Sequence, residues 1–184
     1  IIKLKEAHMA QEKVAFVTGS SRGIGAAIAK RLAKSGFRLV LHGRKSSKEL
    51  DEVKSYLDGI GAIFRTVFFD LHDIESGDAI AMEVYEKFGR LDCVVNNAGA
   101  ASLRRVDFLE LEIDALDFLY RTNLRGPFVL NQALAKIMLN KGNSCYPSFI
   151  FITSSNAHAV SIQRADYCML KAGASMMARA FSVR

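Results

Sequence analysis

Apolar residues follow two alternating rhythms along the chain. Short, nearly unbroken runs stand at Lys13–Gly19 (KVAFVTG), Phe37–Arg44 (FRLVLHGR), Ala62–Asp70 (AIFRTVFFD), Leu91–Gly99 (LDCVVNNAG) and Phe149–Ser154 (FIFITS), and read as strands. Between them lie stretches of helical spacing. These are Gly23–Gly36, with Ile24, Ile28 and Leu32 a turn apart, Ser46–Gly61, and Asp73–Gly89, with Ile80, Val84 and Phe88 on one face. Further helices are predicted at about Leu111–Arg121, at Gly126–Asn140 and from about Ala165 to the end, while glycines close the first two helices at 36 and 61. Strands alternating with helices of this length need right-handed βαβ crossovers. The predicted fold class is therefore α/β, a doubly wound parallel sheet with helices on both faces. No repeat or low-complexity linker interrupts the pattern, and Asn140–Ser148 (NKGNSCYPS) reads as a surface loop before the fifth strand.

Length and composition narrow this to one domain. The 184 residues, half of them apolar, suffice for a sizeable core but not for two full domains. Residues 12–184 are assigned to that domain and 1–11 to an N-terminal extension. Ile1–His8, ahead of Met9, reads in part as an expression remnant and is set apart from the fold. The formal charge of +6 comes from Lys and Arg interleaved with Asp and Glu, with no run of five or six, which favours a solvated face over a nucleic-acid partner. Cys93, Cys145 and Cys168 lie far apart, as do His8, His42, His72 and His158, so neither a disulfide framework nor a metal site is expected. No apolar stretch approaches the ~18 residues of a membrane span, and Lys3, Lys5, Glu6 and His8 break any signal-peptide core. A reducing, cytoplasmic setting fits.

The candidate chemistry begins at the first strand-to-helix turn, TGSSRGIG, Thr18 to Gly25. Glycines 19, 23 and 25 permit a tight turn and close approach of backbone to ligand, and the following helix offers free N–H groups and a positive dipole end to a pyrophosphate. A three-glycine pattern alone is weak, but one that follows a strand and opens a helix is a dinucleotide signal. Farther along stand NNAG at Asn96–Gly99, Asn123 within TNLRG, and Tyr167 and Lys171 in YCMLK, where i and i+4 spacing puts a phenol and an ammonium on one helix face.

These four motifs, in this order and register, resemble a short-chain dehydrogenase/reductase over about Lys13 to Arg184, with a weaker likeness to 3-oxoacyl-carrier-protein reductases in ADYCMLKAGASMMA and NLRGPF. The resemblance implies a Rossmann-like domain and hydride transfer between a nicotinamide and a ketone or secondary alcohol. By it, Tyr167 donates the proton, Ser154 steadies the substrate oxygen, and Lys171 binds the nicotinamide ribose and tunes the tyrosine. Asn123 holds a relay water. Ser154 stands thirteen residues before Tyr167, the separation usual in the family, and Ser155 is the alternative. A phenol ionises near pH 10 in water, so proton transfer near neutrality asks for that value to fall by ~3, or ~4 kcal/mol, and nearby positive charges act in that direction.

The cofactor set implied is Gly19, Ser21, Arg22, Gly23, Ile24, Gly25, Arg44, Asp70, Leu71, Asn97, Ala98 and Gly99, with Tyr167 and Lys171. At the end of the second strand Gly43 occupies the place where an acid would bond the adenosine ribose, and Arg44 follows. Arg22 and Arg44 suit a 2′-phosphate through forked, charge-assisted bonds, so NADP(H) is favoured over NAD(H). For Asp70 the resemblance implies an adenine contact, and a helix cap is the other reading. The family usually continues into a sixth strand, a Pro-Gly segment, a substrate-covering helix and a seventh strand, which are absent after Arg184, so apolar surface is expected around Met176, Met177 and Phe181. A homodimer or homotetramer is implied. Two other readings stay open: a non-catalytic dinucleotide-binding sensor of the same fold, and a nucleotide-sugar epimerase, the latter disfavoured by the glycine spacing.

Overall fold

Five strands pair in parallel in the order β3-β2-β1-β4-β5: β1 (Val14–Val17), β2 (Arg38–Gly43), β3 (Phe64–Phe68), β4 (Cys93–Asn96) and β5 (Ser148–Phe151). The structure, a computed structural model, describes residues 12–141 and 147–183. The expected N-terminal extension lies outside the described residues, as does most of the predicted loop at 140–148.

β1 is buried at every position, so its side chains feed two cores by simple alternation. Val14 and Phe16 join Val40, Val94, Ala81, Val84, Leu130 and Leu134 on one face. Ala15 and Val17 join Leu39, Leu41, Ala26, Ala29, Leu50 and Leu57 on the other. The second face is covered by α1 (Gly23–Lys34) and α2 (Lys48–Gly59), the first by α3 (Asp78–Glu86) and α5 (Gly126–Asn140). The last helix, α6 (Ala165–Ser182), joins the α3 and α5 side, because the Phe181 ring packs at a tilt against Phe149 and Phe151, with centres 5.3 and 6.1 Å apart, and Phe149 packs into that core. At the base of β4 the buried Arg90–Asp92 ion pair, 2.7 Å, also ties down β1, whose Val14 N–H donates to Asp92.

Three expectations are corrected. The helix predicted over Asp73–Gly89 begins only at Asp78, since Asp70 caps a separate 3-10 turn, Leu71–Asp73, and Arg125 donates to the carbonyl of Ile74 at 2.7 Å, holding the chain extended there. Asn123, expected in a regular helix, sits in a π-helical segment, Arg121–Arg125, that joins α4 (Ile113–Tyr120) to α5. Of the residues expected to form exposed apolar surface, Met176 does so, but Met177 is buried and Phe181 is half-buried under its aromatic neighbours.

Candidate active site

The glycine turn leaves β1 at the carboxyl edge of the sheet and is bonded to both neighbouring strands. Thr18 Oγ1 donates to the Val95 carbonyl and accepts from the N–H groups of Asn97 and Ala98, each 3.0 Å away. Asn97 Nδ2 returns two bonds, to the carbonyls of Thr18 and Gly19 at 3.0 and 3.1 Å. From β2, His42 Nδ1 accepts from the N–H of Gly19 at 2.9 Å, its Nε2 donates to the Phe69 carbonyl at 3.0 Å, and Ser20 Oγ accepts from the His42 N–H at 2.8 Å. This pattern needs the neutral ring, and burial pushes the His42 pKa down to about 4. Gly19 has φ +63°, which a side chain resists, and a Cβ at Gly25 would lie 2.2 Å from the Gly19 carbonyl oxygen.

Beyond the turn, α1 begins with no side-chain cap and no acid in its first turn. Its N–H groups are therefore open to an anion, and the residues present fit a dinucleotide pyrophosphate. Ser21 is half-buried, whereas Arg22, Gly23 and Ile24 are exposed on the rim. Arg44 follows β2, fully exposed, with its guanidinium 3.7 Å from Asp70. Asp70 also accepts from the His72 N–H at 3.0 Å and so caps the 3-10 turn Leu71–Asp73, not a helix beginning near Ile74 as the capping reading had it. The Leu71 side chain belongs to the core.

At the other end of the same edge, the π-helical segment aims Asn123 at the loop after β4. Its Oδ1 accepts from the Ala100 N–H at 2.7 Å and its Nδ2 donates to the Ala100 carbonyl at 2.8 Å. A Cβ at Gly99 would lie 3.0 Å from Asn123 Oδ1 and 3.9 Å from Lys171 Nζ, so that glycine sits between the two. Lys171 is buried, burial lowers its pKa, and its Nζ donates to the Ile152 carbonyl just past β5 at 2.9 Å. The same Nζ lies 5.6 Å from the centre of the Tyr167 ring. Ser154 is half-buried, accepts from the Asn156 N–H at 3.2 Å and caps the short turn Ser155–Ala157, which packs on α6; Ser155 is exposed.

Asn123, Gly99, Lys171 and Tyr167 thus lie together, with Gly99 between Asn123 and Lys171 and the Lys171 ammonium 5.6 Å from the Tyr167 ring centre. Asn97, Ala98 and Gly99 connect them to the glycine turn, while Arg44 and Asp70 mark the far, β2–β3 end. Three participants escaped the sequence reading. His42 was signalled only by a polar ring inside the apolar run RLVLHG. Ser102, which donates to buried Asp166 at 2.7 Å and so ties the β4 loop to the start of α6, left no local signal. Arg164, whose guanidinium carbon lies 4.5 Å from the Tyr167 ring centre, was visible as a cation three residues before the phenol.

The family model for short chain dehydrogenases matches residues 13–183. The chain belongs to the short-chain dehydrogenase family. A 3-oxoacyl-[acyl-carrier protein] reductase from Brucella melitensis, solved in complex with NAD, superimposes with a TM-score of 0.88 at 36% identity, covering 95% of this chain and 68% of that one. Sepiapterin reductase of Chlorobaculum tepidum is 30% identical over 167 residues, 87% of this chain and 66% of the relative. D-threitol dehydrogenase of Mycolicibacterium smegmatis is 34% identical over 161 residues, 88% of this chain and 60% of the relative. This short-chain dehydrogenase chain spans less than two thirds of the length of those two curated relatives, whose names differ in substrate.

Proposed function

We propose that the protein is an NADP(H)-dependent oxidoreductase that interconverts a ketone and a secondary alcohol, with 3-oxoacyl compounds as the leading substrate class. The observation that carries this is the convergence of Tyr167, Lys171, Asn123 and Gly99 at the carboxyl edge of a sheet whose first turn is built for a pyrophosphate. The dinucleotide, when bound, supplies or accepts the hydride. The turn Gly19–Gly25 would hold its pyrophosphate, Arg44 and Asp70 its adenosine end, and Asn97–Gly99 with Lys171 its nicotinamide end.

In the reducing direction Tyr167 gives a proton to the carbonyl oxygen as carbon becomes tetrahedral, and Ser154 holds that oxygen by a hydrogen bond. Lys171 keeps positive charge beside the phenol, at a depth where burial already disfavours its own charged form. Asn123, held by both polar groups of Ala100, keeps the β4 loop at a fixed distance from that ammonium and is the residue assigned to the relay water. Gly43 in place of an acid, with Arg44 beside it, supports the choice of NADP(H).

Exposed Ile113, Tyr120 and Phe128 along α4 and α5 support a homodimer or homotetramer. The described helices include none long and apolar enough to cross a membrane.

The test is reduction of a ketone panel by the whole protein, followed by loss of NADPH absorbance. Decay that disappears in Tyr167→Phe supports the reading. Absence of decay with every ketone, or equal slow decay in the variant, would leave a dinucleotide-binding protein without turnover.

A further inference from the structure

We infer that Arg164 anchors a carboxylate of the substrate, so that the ketone this protein favours is a short oxo acid. The inference rests on the carbonyl-reduction reading above and narrows its substrate.

Arg164 ends the 3-10 turn Ile162–Arg164 and stands at the entry to α6. Its guanidinium lies over the Tyr167 ring, with its carbon 4.5 Å from the ring centre. A guanidinium that uses its face in such a contact keeps its five N–H donors free at its edge. Among the described residues none of those donors meets an acceptor, whereas Arg38, Arg104 and Arg125 each pair with a carboxylate. The adjacent acid does not occupy it: Asp166 is buried, and its Oδ1 accepts from Ser102 Oγ and from the Tyr167 N–H, each at 2.7 Å. Nor does the second cation at the ring compete for an anion, because Lys171 is buried and donates to the Ile152 carbonyl.

The site therefore holds a half-buried, planar cation with open donors, in contact with the phenol that serves the carbonyl oxygen. A carboxylate matches that fork with two parallel hydrogen bonds. Because guanidinium and phenol touch, carboxylate and ketone must lie close together in one molecule, as in a 2- or 3-oxo acid. A thioester or ester of the same acid lacks the charge that Arg164 is placed to meet.

Calorimetric titration of the whole protein, saturated with the oxidised dinucleotide it binds, gives dead-end affinities without turnover. The probes are 3-oxobutanoate, its methyl ester and its N-acetylcysteamine thioester. The acid should bind at least about tenfold tighter than either neutral compound, as expected of a forked charge-assisted pair. Arg164→Gln should bring the acid-to-ester ratio close to one, and Arg164→Lys should retain part of it. Equal or tighter binding of the neutral compounds by the wild type overturns the proposal, as does a ratio that Arg164→Gln leaves unchanged. Reduction of the methyl ester, and its loss in Tyr167→Phe, reports on the carbonyl-reduction reading separately. If that reduction is absent while the Arg164-dependent ratio persists, the reading of the reaction falls and the anion anchor stands.

Discussion

The glycine turn and the start of α6 lie at the same edge of the sheet but are held in different ways. The turn is bonded from both sides, by His42 and Ser20 toward β2 and by Thr18 and Asn97 toward β4, which fixes its backbone and leaves the first N–H groups of α1 open. At α6 the phenol of Tyr167 makes no hydrogen bond to any described residue, and its ring is touched by two cations, Arg164 and Lys171. One region is a seat preformed by its own hydrogen bonds. The other leaves the Tyr167 hydroxyl and the Arg164 donors uncommitted among the described residues, so that a ligand can complete them.

The largest expected effect breaks the open end without touching the seat. Tyr167→Phe should lower turnover by about 10³-fold, as expected for loss of a positioned proton donor, while dinucleotide affinity measured by fluorescence titration stays within about twofold. A comparable loss of affinity would mean that the two regions are not separable. The reverse experiment is Gly25→Ala, whose Cβ would meet the Gly19 carbonyl at 2.2 Å, backbone that cannot turn aside. A loss of about 3 kcal/mol in denaturant unfolding is expected, together with loss of dinucleotide binding.

A pH titration sharpens the contrast, because the seat depends on a neutral imidazole. Above the ordinary value of 6.5 His42 is neutral both folded and unfolded and contributes no pH dependence; below it the unfolded chain takes up a proton first. Stability should therefore fall as pH drops from 6.5 toward about 4, by at most about 3 kcal/mol in all. Urea unfolding of wild type and His42→Gln across that window checks it, the variant losing that part of the slope. The smallest effect concerns the rim: Arg44→Ser should raise the KM for NADPH by about tenfold and leave that for NADH within twofold. Equal changes for both cofactors would remove Arg44 from phosphate recognition.

Much of the candidate site was legible in the chain because its residues sit in motifs of short, local spacing. TGSSRGIG places three glycines around one turn, and Tyr167 and Lys171 share a helix face by spacing alone. Asp73–Gly89 was misread because helical periodicity continued through a segment that Arg125, some fifty positions away, holds extended. His42 and Ser102 were missed for a related reason. Their partners are 23 and 64 positions distant, so no window of sequence contains both halves of the bond.

What the sequence by itself determined is the order of strands and helices, the parallel sheet, and the residue types at the pyrophosphate turn and on the face of the last helix, because short-range sterics and hydrophobic period act over a few residues. The tertiary structure alone decided which groups are free to act. It folded a histidine under the glycine turn, tied Asn123 to the backbone of Ala100, anchored the Lys171 ammonium by one bond to the Ile152 carbonyl, and left Arg164 open beside the phenol. Hydrogen-bond commitment depends on what the rest of the chain brings within 3 Å, and only the closed fold sets that distance.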